Sequence, residues 1–400
     1  MNILILVDAF WPDHTGGISK SLLSEVVGLA SRAHNIVVVT RKLNRDYPDS
    51  ELREGYRLYR YKSPTKGTRF YHLYPFFSLN EGAKCIDSLH DEYHFDVAYV
   101  HNPFQAVGLL RCVSKIPYVY VFHAPTTREI ELDTLKGKYG LATPLIKVVN
   151  PWIKGIERKA LIGARRIIVR SRYMEDEMCQ IHGEIGKDKT NCIPLCVDTN
   201  QFSLGNRNSA RKELGLPLNR PILLTIRRLV ARMGLENLVA AMSYVVKEIP
   251  EALLLIGGRG YLEEILRSHV IRFNLESNIK FVGFVPEKDL PKYHQAADLF
   301  VLPTEALEGF GLVILEALSC GTPVVATPVG AIPEVLGPLG DAFICKDASA
   351  EALADGIIEF VRKREDASLR KRCREYCEAN FGIEKVVKDI ERLLYEAAEK

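Results

Sequence analysis

Four hundred residues exceed what one ordinary hydrophobic core organises and imply two domains of about 100 to 200 residues each. With 47% hydrophobic and 26% charged residues, 28 Gly and 20 Pro, the composition excludes disordered, collagenous and coiled-coil classes. The net charge of +3 is split, with 27 basic against 22 acidic residues in 1–198 and a net −2 in 199–400, too mild to mark a nucleic-acid partner.

The chain opens on ILILV at 3–7, an unbroken apolar run suited to a strand buried on both faces. Leu22, Leu23, Val26, Val27 and Ala30 then recur at helical spacing across 19–31. Further strands are predicted at 36–39, 97–100, 119–122 and 167–169, mostly separated by helix-length stretches. A polar segment, 195–221, carries Asn200, Asn206, Asn208, Gly205 and Gly215, and its early part is the expected linker. Strand signals then resume at 222–226, 253–256, 279–282, 299–302 and 324–326, and an amphipathic helix closes the chain at 383–399. These signals predict an α/β protein of two Rossmann-like, doubly wound parallel sheets facing a central cleft. The expected domains are 1–198 and 199–380, with 381–400 returning to the first. Open parallel sheets bind ligands beyond the carboxyl ends of their strands, so the strand-to-helix loops are where chemistry is expected.

Nine cysteines without a C-x-x-C pair read as buried, reduced thiols rather than a disulfide framework. No apolar run approaches the roughly 18 to 20 residues of a membrane helix, and no basic stretch precedes the apolar run at 3–7, so a cytoplasmic location is expected.

The most informative stretch is LPTEALEGFGLVILEALSCGTPVVATPVGAIPE at 302–334. A strand ends at Pro303, a loop carries Glu305 and Glu308, and a helix starts near Gly309, Phe310 and Gly311. Glycines let the backbone approach a ligand closely, and the amides of 310–312 form an anion site reinforced by the helix dipole. Glu308 can accept hydrogen bonds from hydroxyls near a reacting centre, while Glu316, two turns into the helix, can hold a vicinal diol. A diol beside a phosphate describes a nucleotide ribose. A Glu-rich loop ahead of a helix with one exposed carboxylate is the bland alternative, equally common for two glutamates alone.

The stretch resembles the retaining glycosyltransferases of family 4, which have the two-domain GT-B fold. Their hallmark places two glutamates with seven residues between them inside EGFGLVxLEAxxxGxPVVA, and 308–326 here reads EGFGLVILEALSCGTPVVA. The likeness extends to Gly16 and Gly17, His123 in VYVFHAP, Ser171 after RIIV, and Pro194, Val197 and Asp198 in IPLCVD. It continues through IGGRG at 256–260, FVGFVP at 281–286 and VGAIPE at 329–334, covering nearly the whole chain in the family's order. Leu195 and Cys196 stand where the family has Asn-Gly.

The resemblance implies a nucleotide diphosphate sugar held by the second half and an acceptor, glycan or lipid, held by the first. A UDP-sugar is the first expectation. It also implies a metal-independent enzyme without a cofactor, whose diphosphate is neutralised by an Arg and a Lys. In TIRRLVARMGLENL, Arg228 fits that Arg, but Met233 stands where Lys is expected. Arg232 is the candidate substitute, and Arg227 with Arg232 keeps the same spacing one position earlier. By the same resemblance Glu308, His123 and Arg228 are the catalytic candidates. Gly16, Gly17, Arg227, Arg232, Gly309, Phe310, Gly311, Leu312 and Glu316 join Glu308 as donor-binding candidates. A nucleotide-sugar epimerase or phosphorylase on the same fold, or an inert sugar-nucleotide-binding module, stays open as an alternative.

Three other signals are weaker. Gly258 and Gly260 lack the third glycine of a dinucleotide fingerprint, since Glu263 takes its place. His90 and His94 lie one turn apart, yet Asp91 replaces the Glu a zinc-protease motif needs, and they read as helix surface. Ten basic residues against one acid, Glu157, between Thr134 and Arg172 suit either an anionic lipid surface or a solvated face.

Overall fold

Apolar runs too continuous for a one-faced strand form the two parallel sheets of the computed structural model. It describes residues 1–14, 16–65, 68, 74–125, 127–128, 143–363 and 366–399, with side chains left undescribed for 143–148 and 367. The chain divides into two units, Met1–Leu195 with Ile383–Lys400, and Cys196–Gly382.

The first unit contains strands β1 (Asn2–Leu6), β2 (Asn35–Arg41), β3 (Ser50–Arg53), β4 (Tyr56–Tyr61), β5 (Val97–Val100), β6 (Tyr118–Phe122), β7 (Arg166–Val169) and β8 (Thr190–Cys192). Its helices are α1 (Gly17–Ala30), α2 (Tyr74–Tyr93), α3 (Pro103–Leu109), α4 (Thr143–Gly163) and α5 (Arg172–His182). The sheet order is β3-β4-β2-β1-β5-β6-β7-β8, with β3 alone antiparallel. Residues 3–6 and 97–100 are completely buried, which explains why these strands read as unbroken apolar runs rather than alternating ones.

The second unit contains α6 (Arg207–Glu213), β9 (Ile222–Ile226), α7 (Leu235–Glu248), β10 (Leu253–Gly257), α8 (Glu263–Arg272), β11 (Ile279–Gly283), α9 (Leu290–Ala296), β12 (Leu299–Leu302), α10 (Leu312–Ser319), β13 (Val324–Ala326), α11 (Ile332–Leu336), α12 (Ala350–Arg362) and α13 (Ala367–Phe381). Its parallel sheet runs β11-β10-β9-β12-β13. In both sheets the strand order reverses beside the first strand, between β1 and β5 and between β9 and β12. Such switch points open a crevice at the carboxyl ends of the strands.

The last helix, α14 (Ile383–Ala398), belongs to the first unit. Val386, Val387, Ile390, Leu393 and Leu394 are buried there, each contributing about 1.5 to 3 kcal/mol. Val387 packs where Gly28 of α1 leaves room, and Glu391 accepts from Arg32 at 2.9 Å and meets Nε2 of His34 at 2.7 Å. All nine cysteines are free thiols, six of them buried, while Cys85 and Cys179 are half-buried and Cys192 is exposed. No helix among the described residues is long and apolar enough to cross a membrane.

Candidate active site

In the second unit β9 and β12 lie side by side and parallel, so the residues that leave their carboxyl ends meet. Arg227 follows β9 and points into the loop after β12. Its Nη1 donates to Thr304 Oγ1, and its Nη2 donates to Glu308 Oε2 at 2.8 Å. Thr304 completes the triangle, donating to the same Glu308 oxygen at 3.1 Å. Burial depresses the Arg227 pKa, the Glu308 carboxylate opposes that shift, and Arg232 and Arg228 add to it. Arg227 and Arg232 therefore share one corner with Glu308, and the exposed Arg228 adds positive charge beside it, an arrangement suited to an anion.

The loop around Glu308 is braced from two sides. Arg232 donates to the Leu307 carbonyl at 3.2 Å, and the Arg232 carbonyl accepts the Glu305 amide at 3.0 Å. From the other side the Ala331 amide donates to the Glu308 carbonyl at 2.9 Å. Gly330, at φ +61°, lies so close that an added Cβ would stand 2.2 Å from that carbonyl oxygen. Only glycine fits both the left-handed backbone and the contact.

Helix α10 starts immediately beyond, with Gly311 at its N-cap in a left-handed conformation. The amides that open it carry the positive end of the helix dipole, while that of Ile314 already donates to the Gly311 carbonyl at 2.8 Å. Phe310 turns inward, 6% exposed and edge-on to Phe381 at 5.8 Å, so it offers this site its backbone rather than its ring. Glu316 lies in the second turn, 4% exposed, with one carboxylate oxygen 3.7 Å from Nε2 of the buried His294.

The structure thus gathers Arg227, Arg232, Glu308, Gly309, Gly311 and Leu312 at one sheet switch point, while Arg228 faces solvent. Arg227, not Arg228, is the guanidinium on Glu308. Thr304 and His294 were not legible as site residues, because an isolated Thr or His carries no pattern until the fold supplies its neighbours. Gly258 and Gly260 have a local task instead of a nucleotide fingerprint: a Cβ on them would strike the Arg227 and Leu229 carbonyls.

In the first unit the corresponding switch point holds the other candidates. Gly16 caps α1 and donates its amide to His14 Nδ1 at 3.2 Å, and Gly17 begins the helix. His123 leaves β6 next to His101, which leaves β5. Beneath them Glu25 of α1, fully buried, accepts from Arg170 at 2.8 Å and from Tyr99 at 2.8 Å. Burial holds the His123 pKa down to about 3, with Arg170 adding to the effect, so the ring is neutral near pH 7.

Among the described residues no group of three or more His, Cys, Asp or Glu is placed to hold a metal ion. His90 instead accepts the Phe95 amide at the end of α2. Of the basic stretch, Lys136 and Lys138 lie outside the described residues, as does the side chain of Lys147. Lys154, Arg158 and Lys159 are exposed on α4 beside Trp152, whose ring stacks on Phe76 at 5.2 Å.

Residues 15–201 match the profile described as Glycosyltransferase Family 4, and residues 206–379 match Glycosyl transferases group 1. A glycosyltransferase of Methanocaldococcus jannaschii, itself uncharacterised, is 26% identical over 84% of this chain and 83% of its own length. A GDP-mannose-dependent alpha-(1-6)-phosphatidylinositol monomannoside mannosyltransferase of Mycolicibacterium smegmatis is 26% identical over 88% of each chain. Among solved structures, sucrose-phosphate synthase from Thermosynechococcus elongatus superposes with a TM-score of 0.82 at 24% identity, covering 99% of this chain and 98% of that one. Anabaena HepE, solved in complex with UDP, superposes with a TM-score of 0.73 at 20% identity over 99% of this chain and all of its own. With both halves matched in order and the fold shared along its whole length, the chain belongs to the family-4 glycosyltransferases of the GT-B fold.

Proposed function

We propose that the chain transfers a sugar from a nucleotide diphosphate donor to a hydroxyl acceptor with retention of anomeric configuration. The second unit binds the donor and the first the acceptor. The observation that carries this reading is the cationic corner of Arg227 and Arg232 around Glu308, with Arg228 exposed beside it, immediately before the start of α10. As the glycosidic bond breaks, the diphosphate gains negative charge, and Arg228, Arg232 and the α10 amides act where that charge develops. Groups of this kind contribute about 10² to 10³ each in rate. Met233 leaves the expected lysine position uncharged, so the arginines carry the neutralisation. Arg227 holds Glu308 in the orientation from which its free carboxylate oxygen can accept from a sugar hydroxyl. Glu316 receives the ribose hydroxyls, and His123 contacts the transferred sugar. The departing phosphate oxygen takes the acceptor proton on the same face, which preserves configuration without a protein nucleophile.

The acceptor class is a glycan or a lipid. A lipid is favoured by the exposed cations of α4 beside the stacked Trp152 and Phe76, and by relatives named for phosphatidylinositol mannosides. The chain then works in the cytoplasm at the inner membrane face. UDP- and GDP-sugars are the donors to test first, since HepE was solved with UDP-glucose and the mannosyltransferases are named for GDP-mannose. Incubation with a nucleotide-sugar panel and mixed lipid and glycan acceptors, read by product mass and anomeric NMR couplings, tests the proposal. Transfer with retention supports it. Turnover of donor alone, inversion, or no turnover across the panel contradicts it.

A further inference from the structure

The ends of β5 and β6 hold two imidazoles whose arrangement goes beyond the contact proposed for His123. Nδ1 of His101 lies 2.8 Å from Nε2 of His123, with ring centroids 5.1 Å apart and planes 28° from parallel. Burial is the main cause that lowers both pKa values, and Arg170 adds to it, so both rings are neutral. Two neutral imidazoles at that distance share one proton, with one N–H donating and one lone pair accepting.

The outer nitrogens decide which ring donates. Nε2 of His101 is buried and has no hydrogen-bond partner among the described residues. A proton there would be an orphaned buried N–H, whereas an unmet acceptor is the less rare omission in folded proteins. His123 is half-buried, and its ring makes no other hydrogen bond among the described residues, so a proton on its Nδ1 is not sealed away.

We infer that His101 is a positioning residue: it donates its Nδ1–H to Nε2 of His123 and fixes His123 as the Nδ1–H tautomer. His123 then presents that N–H as a fixed donor to a sugar hydroxyl or phosphate oxygen, and cannot accept through Nε2. This use of the tautomer rests on the proposed contact between His123 and the transferred sugar. The tautomer itself does not.

The test starts with nitrogen-15 NMR of histidine-labelled, ligand-free protein, which needs neither substrate nor variant. A protonated Nδ1 and a bare Nε2 on His123 are expected, and the reverse pattern overturns the inference. In His101→Leu, His123 should shift toward the Nε2–H form that free imidazole side chains favour, and kcat should fall by about 10²-fold with donor KM little changed. His101→Asn, whose amide can replace the donated N–H, should keep the tautomer and recover most of kcat. An Asn variant as impaired as Leu would overturn the positioning role. Should the Leu variant change tautomer yet keep its kcat, the contact proposed for His123 fails while the tautomer assignment stands.

Discussion

Replacing Gly330 by Ala perturbs the site at one point whose consequence can be worked from the structure. Gly330 sits at φ +61°, and its new Cβ would stand 2.2 Å from the Glu308 carbonyl oxygen, a backbone atom that cannot rotate away. Ordinary contact requires roughly another ångström. The left-handed conformation costs a non-glycine residue about 1 to 2 kcal/mol. Displacing the loop also strains the 2.9 Å bond from the Ala331 amide to Glu308, a bond of a kind worth about 1 kcal/mol. A loss of about 2 to 3 kcal/mol in stability is expected, read as a lower midpoint in urea unfolding. Because Glu308 moves with its loop, glycosyl transfer should fall by about 10²-fold, the sensitivity expected for a displacement of about 1 Å. Gly337→Ala is the control, since Gly337 has φ −52° and nothing within 4 Å of its added Cβ. Wild-type stability and turnover in Gly330→Ala would refute the bracing of Glu308 by this loop.

Glu25→Ala leaves Arg170 buried without its 2.8 Å partner, and a loss of about 3 to 5 kcal/mol is expected in equilibrium unfolding; a loss below 1 kcal/mol would show the pair to be dispensable. The depressed His123 pKa makes stability pH-dependent with a definite sign. The unfolded histidine takes its proton near pH 6.5 and the folded one only near 3, so stability is full above 6.5 and lost as pH falls toward 3. Urea unfolding at pH 7 and 4.5 should show a smaller decrease for His123→Asn than for the wild type, and an equal decrease would contradict the shift. Under native conditions a thiol reagent should label Cys192 first and the six buried cysteines only on unfolding, as mass spectrometry of digested protein would reveal.

The alternation of apolar runs with helical periodicity placed most strands within a residue or two, because parallel strands covered on both faces leave the strongest signal. β3 and β4 escaped that reading. SELREGYRLYRY alternates charges and aromatics around a Glu54-Gly55 turn, and the buried Arg60 is paired with Asp13 from the loop after β1 and with Glu51 of the neighbouring β3. The 302–334 segment stood out by its glycine and glutamate spacing, but two glutamates alone fitted a bland loop equally well, and the family motif set the reading. Which arginine reaches Glu308 was not legible, since Arg227 and Arg228 differ only in which side of the β9 exit they take. His101 likewise carried no sequence pattern. Its role follows from β5 and β6 being neighbours, a pairing that separates the two histidines by 22 positions in the chain but 2.8 Å in space.

Calorimetric titration of the full chain with UDP and GDP tests the central claim most directly, that the corner between the β9 exit and the start of α10 binds a nucleoside diphosphate. One site per chain is expected for at least one of them, weakened by Arg228→Ala, which removes a phosphate partner, and by Glu316→Ala, which removes the ribose partner. No heat with either nucleotide, or binding that both variants leave unchanged, would contradict it.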